Sequence, residues 1–141
     1  MTGNDFVEFF LRTPLHIFMG NMMLITVTGR KTGKRYTTPV NYYRAGDTLW
    51  VISSRDRTWW RNLQGGARVD LRLRGQDVSG YAEVVSEDGE VANRIGDYVK
   101  HIPMAAKPLG VRVENGQPNP EDTARLAGER LFVKVDLVQG A

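Results

Sequence analysis

Four cationic side chains, Arg30, Lys31, Lys34 and Arg35, crowd into Thr28-Gly29-Arg30-Lys31-Thr32-Gly33-Lys34-Arg35, a glycine-punctuated segment between two β-branched runs. Glycines let a backbone turn tightly, so the cations and several free N–H groups can converge on one anion. Further along the chain comes Arg55-Asp56-Arg57-Thr58-Trp59-Trp60-Arg61-Asn62-Leu63. Its paired tryptophans offer a broad apolar face close to the charge. Charge beside an aromatic face suits a phosphate-bearing aromatic ligand.

The rest of the chain argues against other chemistries. There is no cysteine, so disulfides and thiolate nucleophiles are excluded, and a reducing compartment is compatible. His16 and His101 stand apart from one another and from carboxylates at ligand spacing, which argues against a metal site. No apolar run approaches the roughly 20 residues of a membrane span, and the acidic start Asn4-Asp5-Phe6-Val7-Glu8-Phe9-Phe10 is unlike a signal peptide. A cytoplasmic address is the expectation, with contact at a membrane surface less favoured.

Charge is unevenly placed. From Arg30 to Arg74 there are 11 Lys/Arg against 3 acids, whereas the remainder carries 8 bases and 13 acids. A basic middle is also how nucleic acid is held, but no helix-turn-helix, zinc finger or RNP-type motif accompanies it, so nucleic acid is not expected. Arg68, Arg72 and Arg74 fit a solvated face as well as ligand contact.

The elements that must position these residues read as mainly β. Phe6, Phe9, Phe10 and Ile17 have helical spacing behind a cap at Asn4 or Asp5, and Pro14 divides them into two short helices over a barrel. Strands are expected at Leu24–Thr28, Tyr36–Tyr43 and Thr48–Ser54, with Pro39 indicating an edge or a bulge. Thr58 is placed to cap a short helix ended by Gly65-Gly66. Strands at 69–74 and 78–85 follow, then a helix from about Ser86 to His101 with Val91, Ile95, Tyr98, Val99 and Ile102 on one stripe. Pro103–Pro120 reads as a loop, and Arg130–Val138 as the last strand. Six strands with connections mostly too short for crossovers make a small antiparallel barrel, and the whole of 1–141 reads as one domain.

Met23-Leu24-Ile25-Thr26-Val27-Thr28-Gly29-Arg30-Lys31-Thr32-Gly33-Lys34-Arg35, followed by Thr38-Pro39-Val40-Asn41-Tyr42, resembles the signature of the deazaflavin-dependent nitroreductase family, also described as nitroreductase/quinone reductase. Trp59-Trp60-Arg61-Asn62-Leu63 is similar to that family's second motif, and the resemblance covers roughly Phe6 to Val85. It implies a six-stranded antiparallel split β-barrel with flanking helices, FMN-binding-like and often dimeric. It also implies reduced coenzyme F-420, an 8-hydroxy-5-deazaflavin with a phosphate and a glutamate tail. Carried over by position, Arg30, Lys31, Thr32 and Gly33 would meet the phosphate and carboxylates, and Trp59 and Asn62 the ring or its ribityl chain. The family's Ser-Lys-Gly-Gly-like loop is replaced by Ser53-Ser54-Arg55-Asp56-Arg57, where Arg55 or Arg57 would supply the charge.

Such a cofactor delivers hydride from its own ring carbon, so the implied protein binds, orients and excludes water rather than providing a nucleophile. The acceptors would be quinones, nitroaromatics or enones. Tyr98, with Tyr42 and Tyr43 as alternatives, could donate a proton to the reduced group, or pack in the core. Trp59 and Trp60 could equally be core, and Asn62 a local cap. Two other readings fit the same residues: an FMN-dependent reductase, and a non-catalytic carrier of a deazaflavin, flavin or lipid-like ligand.

Overall fold

The computed structural model describes residues 21–138. The helices expected around Phe6 to Ile17 lie outside the described residues.

Period-two alternation builds the barrel. β1 (Asn21–Thr28) buries Met23, Ile25 and Val27 while the residues between them stay at least partly exposed. β2 (Arg35–Ala45) and β3 (Thr48–Ser54) follow, then β4 (Ala67–Leu73) and β5 (Gln76–Val85), and β8 (Arg130–Leu137) comes last. The sheet closes in the order β1-β2-β3-β8-β5-β4, with β4 pairing back onto β1. Every pairing is antiparallel. The protein is thus a closed six-stranded antiparallel barrel with flanking helices. Closure gives each of the six strands two neighbours along part of its length, which limits edge-to-edge aggregation.

Two hydrophobic clusters divide the packing. Tyr42, Leu49, Val51, Leu131, Val133 and Val135 fill the barrel interior, whereas Tyr43, Ile52 and Phe132 on the opposite strand faces meet the helices. α1 (Asp88–His101) lays Val91, Ile95, Tyr98 and Val99 into that second cluster. Its cap is Glu87, whose carboxylate accepts the N–H groups of Glu90 at 2.8 Å and Gly89 at 3.0 Å. Those two bonds favour the charged form and lower the Glu87 pKa.

The segment expected to be a loop from Pro103 to Pro120 is largely structured. A 3-10 turn at Pro103–Ala105 leads into α2 (Ala106–Leu109), and β6 (Val113–Glu114) pairs with β7 (Gln117–Pro118) in a small hairpin. α3 (Pro120–Ala127), not foreseen in the sequence, begins where the Asn119 side chain accepts from the N–H groups of Glu121 and Asp122. Pro120 at its first turn costs nothing, because that N–H has no helical acceptor.

Pro39 sits in β2, which lies between β1 and β3. The β2–β3 ladder starts only at Asn41, however, so 35–40 pair with β1 alone. Proline is tolerated because the strand is locally an edge. This overhang forms one lip of the site described next.

Candidate functional site

The basic turn between β1 and β2 is held by its own backbone. The Gly29 N–H donates to the Lys34 carbonyl at 2.7 Å, and the Gly33 N–H to the Gly29 carbonyl at 2.8 Å. Gly33 has φ of +73°, and a Cβ on Gly29 would sit 2.8 Å from the Tyr36 ring, so neither position accepts another residue without strain. The Lys34 N–H goes to Thr32 Oγ1 at 3.2 Å and the Arg30 N–H to Asn62 Oδ1 at 3.2 Å. The N–H groups of Lys31 and Thr32 have no acceptor among the described residues. Two adjacent unspent donors on a tight turn are the kind of feature that can receive an anion.

The connection from β3 to β4 crosses the same end of the barrel as a 3-10 helix, Trp59–Leu63. Trp59, Trp60 and Leu63 drop into the interior cluster and plug it. Thr58 precedes this helix without making the expected side-chain cap, and its carbonyl accepts from the Arg61 N–H at 3.1 Å instead. Trp59 Nε1 donates to Ser53 Oγ at 3.2 Å, Asn62 Nδ2 donates to the Trp59 carbonyl at 3.2 Å, and Arg57 Nη2 donates to Thr38 Oγ1 at 3.0 Å. The Arg30 guanidinium reaches the Gln64 carbonyl. Turn, plug and β2 overhang are therefore cross-linked around one opening.

That opening is a cavity of about 840 Å³. Arg30, Lys31, Arg57 and Arg61 line it without a carboxylate, alongside Thr32, Tyr36, Thr38, Asn62 and Trp59. A smaller lobe of about 290 Å³ shares Pro39, Arg57 and Trp59 with it. The larger lobe falls within the roughly 300–1,000 Å³ of ordinary ligand sites. Cations without counter-charges, with unspent N–H donors beside an indole, can hold a phosphate or carboxylates joined to a flat ring.

A family model described as F420H(2)-dependent quinone reductase matches residues 12–115. The chain belongs to that family. Among solved structures, this F420H(2)-dependent quinone reductase family member is similar to a protein of unknown function from Agrobacterium tumefaciens, at 19% identity and a TM-score of 0.54. That match covers 84% of this chain and 49% of the other, so the chain spans about half the length of that protein. It is also similar to an F420-H2 dependent reductase, FDR-A, at 16% identity and a TM-score of 0.50, over 81% of this chain and 92% of that one. The flavocytochrome Anf3 from Azotobacter vinelandii gives 12% identity and a TM-score of 0.51, over 88% of this chain and 64% of its own. At such identities the likeness is one of fold. No curated protein matches the sequence.

Within this family member, Arg30, Lys31, Thr32, Arg57, Trp59 and Asn62 line the larger cavity, and Ser53 and Ser54 line the smaller lobe. Gly33 shapes the turn without lining either. Arg55 lies elsewhere: its guanidinium donates to the carbonyls of Ala127, Arg130 and Ser86 and pairs with Asp88 at 3.4 Å, clasping α1, α3 and β8. Tyr98 is 0% exposed within the helix-facing cluster and lines neither lobe. Burial, and then the nearby Tyr43, hold its hydroxyl above the ordinary tyrosine range. Tyr42 points into the barrel, and Tyr43 stacks on His101 at 4.5 Å.

Of the other cations, Arg35 pairs with Asp70, Arg72 with Asp77, and Arg68 donates to Ser79 Oγ. None lines the larger cavity, and they form a solvated face. Sequence reasoning missed Tyr36, Thr38 and Arg61 as lining groups. Tyr36 and Thr38 follow the basic turn at alternate positions, which was the available signal. Among the described residues no helix is long and apolar enough to cross a membrane, and no cluster of three His, Cys, Asp or Glu is placed to hold a metal.

Proposed function

We propose that this protein transfers hydride from reduced coenzyme F-420 to quinones, and more broadly to nitroaromatic or enone acceptors, at the opening beneath the basic turn. The observation that carries this reading is the carboxylate-free quartet Arg30, Lys31, Arg57 and Arg61, fused to the tryptophan plug through Asn62. When bound, the reduced deazaflavin supplies a hydride that, with one proton, takes a quinone to its hydroquinone. Arg30, Lys31 and the unspent N–H groups of Lys31 and Thr32 hold the coenzyme's phosphate and tail carboxylates. Trp59 offers its indole to the ring, and the Ser53 hydroxyl fixes the orientation of that indole through Nε1. Tyr36, rather than Tyr98, presents a hydroxyl to the acceptor, because it lies on the cavity wall. Arg55 keeps the neighbouring wall in place from behind.

Titrating the protein with oxidised coenzyme F-420, FMN and NADPH while following tryptophan fluorescence tests the cofactor. The deazaflavin should bind most tightly; equal or better binding of FMN would overturn that preference. Stopped-flow loss of reduced-coenzyme absorbance with menadione then separates a reductase from a carrier, which would bind the coenzyme and leave it reduced.

A further inference from the structure

The smaller lobe has a chemistry of its own. Its walls at Val40, Ile52 and Pro108 are apolar, and Pro108 comes from α2 within the segment read as loop. At about 290 Å³ it lies at the lower limit of ligand cavities, the size of a one- or two-ring molecule.

Counting donors shows what such a molecule would meet. Ser53 Oγ donates to the Ser54 carbonyl at 3.2 Å while accepting from Trp59, and Ser54 Oγ donates to Asp56 Oδ1 at 2.6 Å. Both hydroxyl protons are spent. Arg130, which lines the lobe from the first position of β8, has a guanidinium with no hydrogen bond or ion pair to any described residue. Arg57 spends one N–H on Thr38 and lines both lobes. No carboxylate lines the lobe. Asn41 adds a neutral amide to the lining, and the charged side chains there, Arg57 and Arg130, are both cationic. Such a slot favours a flat ring carrying a negative charge, because charge-assisted hydrogen bonds are the stronger class and an uncharged isostere leaves them unmade.

We propose that this lobe seats the substituted end of the acceptor, its reducible group facing the larger cavity and Tyr36 across the shared Pro39, Arg57 and Trp59, and that Arg130, assisted by Arg57, makes it select quinones or nitroaromatics of one or two rings bearing an anionic substituent. The proposal rests on the hydride-transfer reading above, and coenzyme binding is therefore measured first and separately.

1,4-Naphthoquinone-2-sulfonate and menadione, which differ in a sulfonate against a methyl group, are titrated into protein saturated with oxidised coenzyme, with tryptophan fluorescence as the readout. The wild type should take the sulfonate at least about tenfold more tightly. R130Q should lose that preference while menadione binding stays within about twofold, and R130K should keep most of it. In turnover, R130Q should raise the KM for the sulfonate and leave kcat unchanged. Equal binding of the two quinones by the wild type, or a parallel loss of both in R130Q, overturns the proposal. So does loss of the preference in K31A with R130Q unaffected, which would place the sulfonate in the larger lobe. Should the coenzyme fail to bind, the hydride-transfer reading falls, and the same quinone titrations on the free protein still decide whether Arg130 selects anionic rings.

Discussion

The Asn62 amide joins two segments 32 residues apart: Oδ1 accepts the Arg30 N–H at 3.2 Å, and Nδ2 donates to the Trp59 carbonyl at 3.2 Å. The basic turn and the tryptophan plug are thereby set relative to each other by one side chain. Asn62→Ala removes both bonds and should cost about 1–3 kcal/mol of stability. Asn62→Asp keeps the acceptor, loses the donor and adds a negative charge among the cations. Its thermal unfolding should fall between those of the wild type and the alanine variant, while its affinity for coenzyme F-420 should fall further than that of the alanine variant. An Asn62→Asp protein that binds the coenzyme as well as Asn62→Ala does would show that the cavity's charge is not used for an anion.

Arg30 and Lys31 are neighbours with different duties. The Arg30 guanidinium is bonded to the Gln64 carbonyl, whereas Lys31 has no partner among the described residues. Lys31→Ala should leave stability within about 0.5 kcal/mol and weaken coenzyme binding by about tenfold or more. Arg30→Ala should do both, losing about 0.5–1.5 kcal/mol of stability as well. Urea unfolding and fluorescence titration on the same preparations test the difference. A Lys31→Ala protein that is destabilised without losing affinity would make the turn structural.

The barrel could be read from sequence because alternation is a local property. Val69, Leu71 and Leu73 alternate with Asp70, Arg72 and Arg74, and the first three bury their side chains as that pattern requires. Trp59 and the basic turn, separated in sequence, line one cavity as the paired motifs led one to expect. Long-range partners were less legible. Arg55 looks the same in sequence as a ligand-binding cation, and only folding brings the Ala127 carbonyl, 72 positions away, to its guanidinium. Tyr98 sits on the apolar stripe of α1, a pattern that describes a core residue as well as a proton donor. In Pro103–Pro120, proline, glycine and asparagine masked short elements whose stability comes from packing on α1 rather than from local propensity.

Two tyrosines separate core from chemistry. Tyr98 is buried against Tyr43, at 5.4 Å edge-to-face, and Phe132, at 6.1 Å, all outside both lobes. Tyr98→Phe keeps the ring and should leave kcat/KM for menadione within about twofold; Tyr98→Ala, by opening a cavity, should cost about 3–5 kcal/mol. Tyr36→Phe removes a hydroxyl from the cavity wall and should lower kcat by about a hundredfold, the low end of general-acid contributions, with little change in stability. A larger activity loss in Tyr98→Phe than in Tyr36→Phe would reverse the assignment.

Acid stability should depend on Asp122. This residue is 3% exposed, and its carboxylate accepts from Arg112 Nε and the Arg112 N–H at 2.9 Å each, and from Arg125 at 3.1 Å. These bonds, above all those from Arg112, hold its carboxyl well below the usual carboxylate range. The unfolded chain takes up a proton near the ordinary value of 3.8, while the native chain resists it. The contribution is therefore fully present well above that value, and is lost progressively as pH falls through it toward the lower native pKa. Asp122→Asn lacks this term and should be less stable than wild type at neutral pH. Urea unfolding at a series of pH values should show the gap between the two proteins narrowing as the solution is acidified below about pH 4, near the reference carboxylate value. A gap that stays constant down to acid pH would show that this carboxylate gains nothing from its two arginines.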